Sequence, residues 1–144
     1  MPTWLKVVLI IVGVMVLTCG LVVSAGAWWL KKNKGEIESV GVEARASGEA
    51  YGRAHDQAGC LDQAITALPE KSGLVAEVKN KLFLASCLGA APRSAGFCDG
   101  VPPSAEMIHS VTWATEACAK RAKGNEQACT RLMQEVQKAC DQSR

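Results

Sequence analysis

Residues 7–30 read VVLIIVGVMVLTCGLVVSAGAWWL, and this stretch decides how the rest of the chain is organised. It contains 24 consecutive residues without a formal charge. As a helix it would be about 36 Å long, since each residue adds about 1.5 Å, whereas a bilayer hydrocarbon core is about 30 Å thick. The stretch therefore predicts a transmembrane helix over about residues 5–30 that binds the lipid bilayer, with the rest of the chain on one side.

Three interpretations of this stretch compete. Ala25-Gly26-Ala27 fits the cleavage site of a signal peptide, and Cys19 raises a lipoprotein signal as a third reading. Thr18 is an unusual residue before a lipidated cysteine, and eleven apolar residues follow Cys19, which argues against lipidation. The stretch is longer than the core of a signal peptide, about 7–15 residues, and tryptophans lie at both ends, as in an interfacial aromatic belt. A retained signal anchor over residues 1–32 is therefore favoured, with cleavage as the alternative.

The orientation signals disagree. Lys31, Lys32 and Lys34 follow the apolar stretch, while only Lys6 precedes it, so the positive-inside rule would place the following domain in the cytoplasm. The cysteines favour the opposite side, because six ordered thiols in a reducing compartment would need a reason such as metal ligation. The six cysteines are the stronger evidence, because the two flanks differ by only one or two positive charges. We therefore expect a single-pass protein with a cytoplasmic N-terminus and a periplasmic or otherwise extracytoplasmic domain.

Six of the seven cysteines follow the apolar stretch and are disulfide candidates: Cys60, Cys87, Cys98, Cys118, Cys129 and Cys140. Six cysteines in a small extracytoplasmic domain predict three disulfides. Cys129 and Cys140 are eleven residues apart on one predicted helix, about 16 Å along its axis, so they cannot pair with each other. The preferred pairing is Cys60–Cys129, Cys87–Cys140 and Cys98–Cys118, and the alternative is a local Cys118–Cys129 bridge.

Hydrophobic periodicity after the apolar stretch predicts helices only, so the fold class is all-α. A hinge is expected at 33–35, and a Cys-rich helical domain over 36–144 is expected to form a small disulfide-stapled four-helix bundle. Its helices are predicted at about 36–68, 70–88, 104–124 and 125–141, with a Gly- and Pro-rich loop at 89–103. The predicted inner face of the second helix consists of Leu74, Val75, Val78, Leu82, Ala85 and Leu88. That of the third helix consists of Ile108, Val111, Thr115, Cys118 and Ala122.

The motifs of common enzymes are absent from the sequence. There is no Cys-x-x-Cys pair, no phosphate-binding glycine loop and no nucleophile motif, so no catalytic residue and no cofactor is predicted. From Glu36 onward the chain carries 12 Lys and Arg against 14 Asp and Glu, which disfavours nucleic-acid binding. His55, Cys60 and His109 are the residues that an alternative metal site would use. Trp113 lies beside the predicted core stripe, either as packing or as a partner contact.

These observations favour a membrane-anchored extracytoplasmic helical domain. Its expected role is a non-enzymatic interaction or structural module of a bacterial envelope, with an unidentified protein partner. A Cys/His metal-binding or metal-sensing domain is the alternative. Gly13, Gly20 and Ala27 recur at every seventh position, which would let two transmembrane helices pack closely through a stripe of small residues.

Overall fold

The computed structural model describes residues 3–68, 73–122 and 124–144. Within these ranges the chain forms five α-helices and no strand: α1 Thr3–Ala54, α2 Gln57–Thr66, α3 Leu74–Ala90, α4 Met107–Arg121 and α5 Glu126–Ser143. The all-α prediction is confirmed. Contacts divide the chain into two units, Met1–Glu38, here the N-terminal unit, and Ser39–Arg144, the C-terminal unit.

In the described residues of the N-terminal unit, one helical window is long and apolar enough to cross a membrane. This window, Ile10–Trp29, has a mean hydropathy of 2.4, and none of it is buried within the protein. The Thr18 hydroxyl donates to the Val14 carbonyl at 3.0 Å, and the Ser24 hydroxyl donates to the Leu21 carbonyl at 3.0 Å. Because these hydroxyl groups are satisfied inside the helix, they cost little in an apolar environment. The window suits either a membrane anchor or a signal sequence.

Residues 33–35, predicted as a hinge, are helical and lie inside α1. The first helix of the predicted bundle is instead interrupted between Ala54 and Gln57. Asp56 has extended backbone angles there, and its side chain accepts a hydrogen bond from the Gly59 N–H at 2.9 Å, which makes it the N-cap of α2. The interruption therefore occurs at a capping residue. Among its described residues, the C-terminal unit therefore contains five helical segments, whereas four were predicted.

Two helix pairs in the C-terminal unit are antiparallel. The buried Asn80 side chain on α3 donates to the Ala64 carbonyl on α2 at 2.7 Å, and the Cys60–Cys87 disulfide joins the same two helices. The Cys118–Cys129 disulfide joins α4 to α5. In both pairs, positions later in one helix meet positions earlier in the other.

The two pairs meet through α3 and α5, which run parallel. Glu77 pairs with Arg131, and four residues further on Lys81 pairs with Glu135 at 3.7 Å. The core between the helices includes Leu84, Leu132, Met133 and Val136, each no more than 2% exposed. The predicted inner face of α5 is confirmed, since all five of its expected core residues are buried: Cys129, Leu132, Met133, Val136 and Cys140.

The C-terminal part of α1 packs on α3 at very short range. A Cβ atom at Gly48 would overlap the Phe83 carbonyl oxygen, and one at Gly52 would overlap the Cys87 carbonyl oxygen. Ala44, one turn before Gly48, is 0% exposed. The glycines of this segment therefore serve close helix packing, and they do not interrupt α1.

The predicted inner faces of the second and third helices are wrong at most positions. Leu74 is 81% exposed on α3, and Ile108 and Val111 are 82% and 62% exposed on α4. Val75, Val78 and Thr115 are also exposed. The prediction is correct at Leu88, Cys118 and Ala122, which are buried. The other residues that face the core were not predicted: Asn80, Leu84 and Cys87 on α3, and Ala114 on α4.

The predicted start of the third helix is also wrong. Its N-cap is Glu106, and Ser104 lies two residues earlier in a turn. The Ser104 N–H donates to the Asp141 carboxylate at 3.1 Å, so this residue holds the preceding loop to α5. Asn125, the first residue of the predicted fourth helix, occupies the N-cap position of α5, although its side chain makes no capping hydrogen bond. Glu70, where the second helix was expected to begin, lies outside the described residues.

Candidate functional site

Three disulfides connect the six cysteines of the C-terminal unit: Cys60–Cys87, Cys98–Cys140 and Cys118–Cys129. Five of these cysteines are 0% exposed, and Cys98 is half-buried. The prediction of three disulfides is confirmed, and Cys19 remains a free, exposed thiol in the N-terminal unit. The disulfides thus form the covalent framework of the helical core.

The preferred pairing is wrong, and the alternative Cys118–Cys129 bridge is present. The preferred pairing assumed that residues 36–68 form one helix. It then assigned each cysteine to one of the two ends of a four-helix bundle. The interruption at Asp56 leaves α2 only ten residues long, and α3 begins at Leu74. Cys60 and Cys87 therefore face each other with their Cα atoms 5.8 Å apart, within disulfide range.

The residues proposed for a metal site are placed differently from that hypothesis. Cys60 is disulfide-bonded. The His55 ring stacks on Tyr51 at 3.8 Å, with its Nδ1 atom 3.0 Å from the Tyr51 carbonyl, and His109 lies 2.8 Å from a Glu106 carboxylate oxygen. Within the described ranges, no group of three or more His, Cys, Asp or Glu residues could hold a metal ion.

A groove of about 540 Å³ lies between α2 and α4 in the C-terminal unit. Both helices pack on α5, which supplies the floor through Met133 and Val136. Leu61 of α2 and the half-buried Trp113 of α4 line the sides. We call this feature the α2–α4 groove. Its volume lies in the range of small-ligand sites, about 300–1,000 Å³.

The two ends of the α2–α4 groove differ. At one end the loop 94–101 contributes the half-buried Phe97 and the exposed Asp99. The Cys98–Cys140 disulfide anchors this loop to α5. At the other end Arg121 of α4 forms an exposed ion pair with Asp62 of α2 at 3.5 Å. The groove is therefore a slot that is bounded at both ends.

Charged side chains line the rim of this slot. Asp99, Glu116 and Lys120 make no ion pair with any described residue, unlike the neighbouring Arg121. Sequence reasoning singled out Trp113 but missed the other rim residues. Phe97 and Asp99 lie in a loop without periodicity, so no sequence pattern connects them with α4. The helical spacing of Trp113, Glu116 and Lys120 was the available signal.

Two carboxyl groups, the exposed Glu126 and the half-buried Asp141, accept hydrogen bonds from nearby turns. Hydrogen bonds from its own backbone N–H and then from the Gly124 N–H hold the pKa of Glu126 below its ordinary value. Hydrogen bonds from the hydroxyl group and the backbone N–H of Ser104 likewise lower the pKa of Asp141, with a smaller contribution from the Arg144 charge. Both groups are thus more stable as carboxylates in the folded protein.

The outward face of α4 is apolar. Ile108 and Val111 are exposed on it, together with Thr112 and Thr115. The Thr112 hydroxyl donates to the Ile108 carbonyl and the Thr115 hydroxyl to the Val111 carbonyl, so the hydrogen of each hydroxyl is already used within the helix. An uncharged face of this kind is unusual on a helix that contacts only water.

No protein-family model, no curated protein and no solved structure matches the chain.

Proposed function

We propose that this protein is a membrane-anchored, non-enzymatic binding module whose C-terminal unit lies outside the cytoplasm. The observation that carries the proposal is the pairing of all six cysteines that follow the apolar stretch. Disulfides persist in oxidising compartments and are rare in the cytosol. An extracytoplasmic location explains the pairing without any additional reactant.

The N-terminal unit supports retention in the membrane. The exposed apolar window of twenty residues matches the length that a bilayer requires. Trp28 and Trp29 close the window, and the Lys32 ammonium lies 5.2 Å from the centroid of a Trp28 ring, an arrangement suited to the membrane–water interface. In this proposal the N-terminus is cytoplasmic, the helix at about residues 5–30 is a retained anchor, and Gly13, Gly20 and Ala27 are available for self-association.

The surface of the C-terminal unit supports a binding role. Its small core is cross-linked by disulfides, so the fold can leave apolar side chains such as Ile108 outside. The α2–α4 groove adds a concave surface with unpaired charges. Both features suit contact with another protein, in the manner of an envelope interaction module.

The experiment is thiol labelling in intact cells that express the full-length chain, followed by intact-mass measurement without reductant. We expect a full-length mass with one labelled cysteine after denaturation, and none in a Cys19→Ser control. Labelling of seven cysteines would place the domain in a reducing compartment and overturn the proposal. A chain that begins at Trp28 would show that the stretch is a cleaved signal peptide, which would overturn the anchor.

A further inference from the structure

We propose that the Cys98–Cys140 disulfide is a redox-sensitive latch, which an external dithiol opens while the other two disulfides stay closed. The inference goes beyond the proposed binding role, because it concerns a switch in the loop that forms one end of the α2–α4 groove. Two observations carry it. They are the unequal burial of the six bridged cysteines and the contacts that hold the loop 94–101 in place.

Burial distinguishes this bridge from the other two. All four cysteines of the other bridges are 0% exposed, and so is Cys140, whereas Cys98 is half-buried. The Cys98 Sγ lies 3.8 Å from the Oγ of Ser143, the half-buried last residue of α5. This sulfur is therefore at an end of the helical core. Thiol–disulfide exchange requires a thiolate to reach a sulfur, and Cys98 is the bridged cysteine that the folded protein leaves accessible.

The exchange follows from this asymmetry. One thiolate of the dithiol attacks the Cys98 Sγ, the bond between the two cysteine sulfurs breaks, and Cys140 leaves as a thiolate that takes up a proton. The second thiolate of the reductant then attacks its own sulfur in the mixed disulfide, and Cys98 leaves in the same way. The bridge gains two electrons and two protons, and the dithiol becomes a disulfide.

Both ends of the loop are held independently of this bridge. At the first end, the Gln57 N–H donates to the Ser94 hydroxyl and the Ser94 N–H donates to the Gln57 side-chain oxygen, both at 3.2 Å. At the other end, the Gln137 side chain donates to the Pro102 carbonyl at 2.9 Å, and Val101 is 7% exposed. Reduction leaves these contacts intact, so the loop stays attached at both ends.

The middle of the loop, residues 95–100, depends on the bridge for its polar connection to α5, and we call it the latch segment. Its described backbone hydrogen bonds lie within the loop: the Phe97 N–H donates to the Ser94 carbonyl at 3.2 Å, and the Asp99 N–H to the Gly96 carbonyl at 3.0 Å. Once the bridge is open, the packing of the half-buried Phe97 ring on the core is the main contact that opposes movement.

Glycines lie on both sides of the bridged cysteine. Gly96 and Gly100 have φ angles of 76° and 75°, in the left-handed region that glycine adopts without strain. Because glycine also reaches other backbone conformations easily, these two positions can act as hinges for the latch segment. The segment contributes Phe97 and Asp99 to one end of the α2–α4 groove, so its release would open that end.

The first test is limited reduction of the full-length Cys19→Ser variant in detergent by dithiothreitol. This variant removes the free thiol, which could otherwise exchange with the bridges. Samples are alkylated with iodoacetamide over time, and peptide masses identify the modified cysteines. We expect Cys98 and Cys140 to be modified about tenfold faster or more than the other four, because the other bridges must first be exposed by unfolding. Equal rates for the three bridges, or earlier opening of another bridge, would overturn the inference.

A second probe identifies the sulfur that is attacked. Sulfite adds to one sulfur of a disulfide as an S-sulfonate and releases the other sulfur as a thiolate, which iodoacetamide then alkylates. We expect the sulfonate on Cys98 and the alkyl group on Cys140. The reverse distribution would contradict the assignment of Cys98 as the accessible sulfur.

Hydrogen exchange tests the latch itself. When dithiothreitol has opened only Cys98–Cys140, the amides of the latch segment should exchange about tenfold faster, while those of α4 and α5 keep their protection. Oxidised glutathione should close the bridge again and restore the original exchange. The Cys118–Cys129 bridge, which stays closed in the same molecules, is the internal control. An equal loss of protection in α5 would show that the bridge supports the whole fold and is not a latch.

Discussion

One added methyl group at Gly48 tests the close packing of α1 on α3. A Cβ at this position would overlap the Phe83 carbonyl oxygen and lie 3.1 Å from the Ser86 Cβ. The oxygen belongs to the backbone of α3, so it cannot rotate away as a flexible side chain would. α1 must therefore separate from α3, or α3 must deform, to accept Gly48→Ala.

The magnitude follows from two opposing effects. Overpacking of a closed contact costs about 1–3 kcal/mol, whereas Gly to Ala inside a helix gains up to about 1 kcal/mol. We expect a net loss of about 1–2 kcal/mol in the free energy that docks α1 on α3. Gly41→Ala is the matched control, because its Cβ would meet only the Leu82 Cδ1 atom at 3.7 Å, an ordinary contact. That control should be neutral or slightly stabilising.

The assay is hydrogen exchange of the backbone amides in residues 44–54 of the full-length protein in detergent. No disulfide ties α1 to another described helix, so this segment can open while the cross-linked helices stay folded. Each loss of about 1.4 kcal/mol should speed exchange tenfold. Equal protection in Gly48→Ala and Gly41→Ala would refute the close approach of the two helix backbones.

Three further predictions concern the C-terminal unit. Folding lowers the pKa values of Glu126 and Asp141, so the stabilisation from each carboxylate is present above about pH 5 and is lost as the pH falls through its folded pKa. The denaturant midpoints of Glu126→Gln and Asp141→Asn should therefore fall less on acidification than the midpoint of the wild type does. Ile108→Lys, at an 82% exposed position, should change the free energy of unfolding by less than about 0.5 kcal/mol, whereas Leu132→Ala, at a 1% exposed position, should lower it by about 2–5 kcal/mol in the same titration. Removal of the Cys98–Cys140 bridge should destabilise the protein by about 1 kcal/mol more than removal of the Cys118–Cys129 bridge. The first bridge links residues 42 apart and the second residues 11 apart, and closing the longer loop removes more entropy from the unfolded chain. Equal thermal midpoints for the two Cys→Ser pairs would contradict this.

The sequence was sufficient for α5 and insufficient for α4. In α5 the apolar residues lie on a single stripe and the charged residues lie elsewhere, so only one orientation buries the stripe. In α4 the larger apolar residues Ile108 and Val111 face outward, while the small Ala114 faces the core. A ranking by hydrophobicity selects the larger residues. Close contact with α5 instead favours the small Ala114. This preference depends on how the two helices pack, so the sequence of α4 alone does not reveal it.

The α2–α4 groove was harder to predict from the sequence than the helices were. Its walls come from two helices and its floor from a third, and one end is made by a loop. The Cys98–Cys140 bridge holds that loop in place, yet fifteen connectivities were available to six cysteines. Trp113 was identified from its position beside the core stripe. Phe97 and Asp99 can be assigned to the same groove only after the disulfide is known.

The cysteines themselves carry information that the hydrophobicity pattern obscured. A buried disulfide requires each helical cysteine to face its partner helix, so the cysteine sets the phase of the inner face. Counting back three residues from Cys87 gives Leu84, and four more give Asn80, while counting back four from Cys118 gives Ala114, all of which are buried. The same rule on α2 leads from Cys60 to Ala64, which is also buried. In a small domain whose core depends on cross-links, the position of a cysteine is thus a stronger constraint on helix orientation than the position of an isoleucine or a valine.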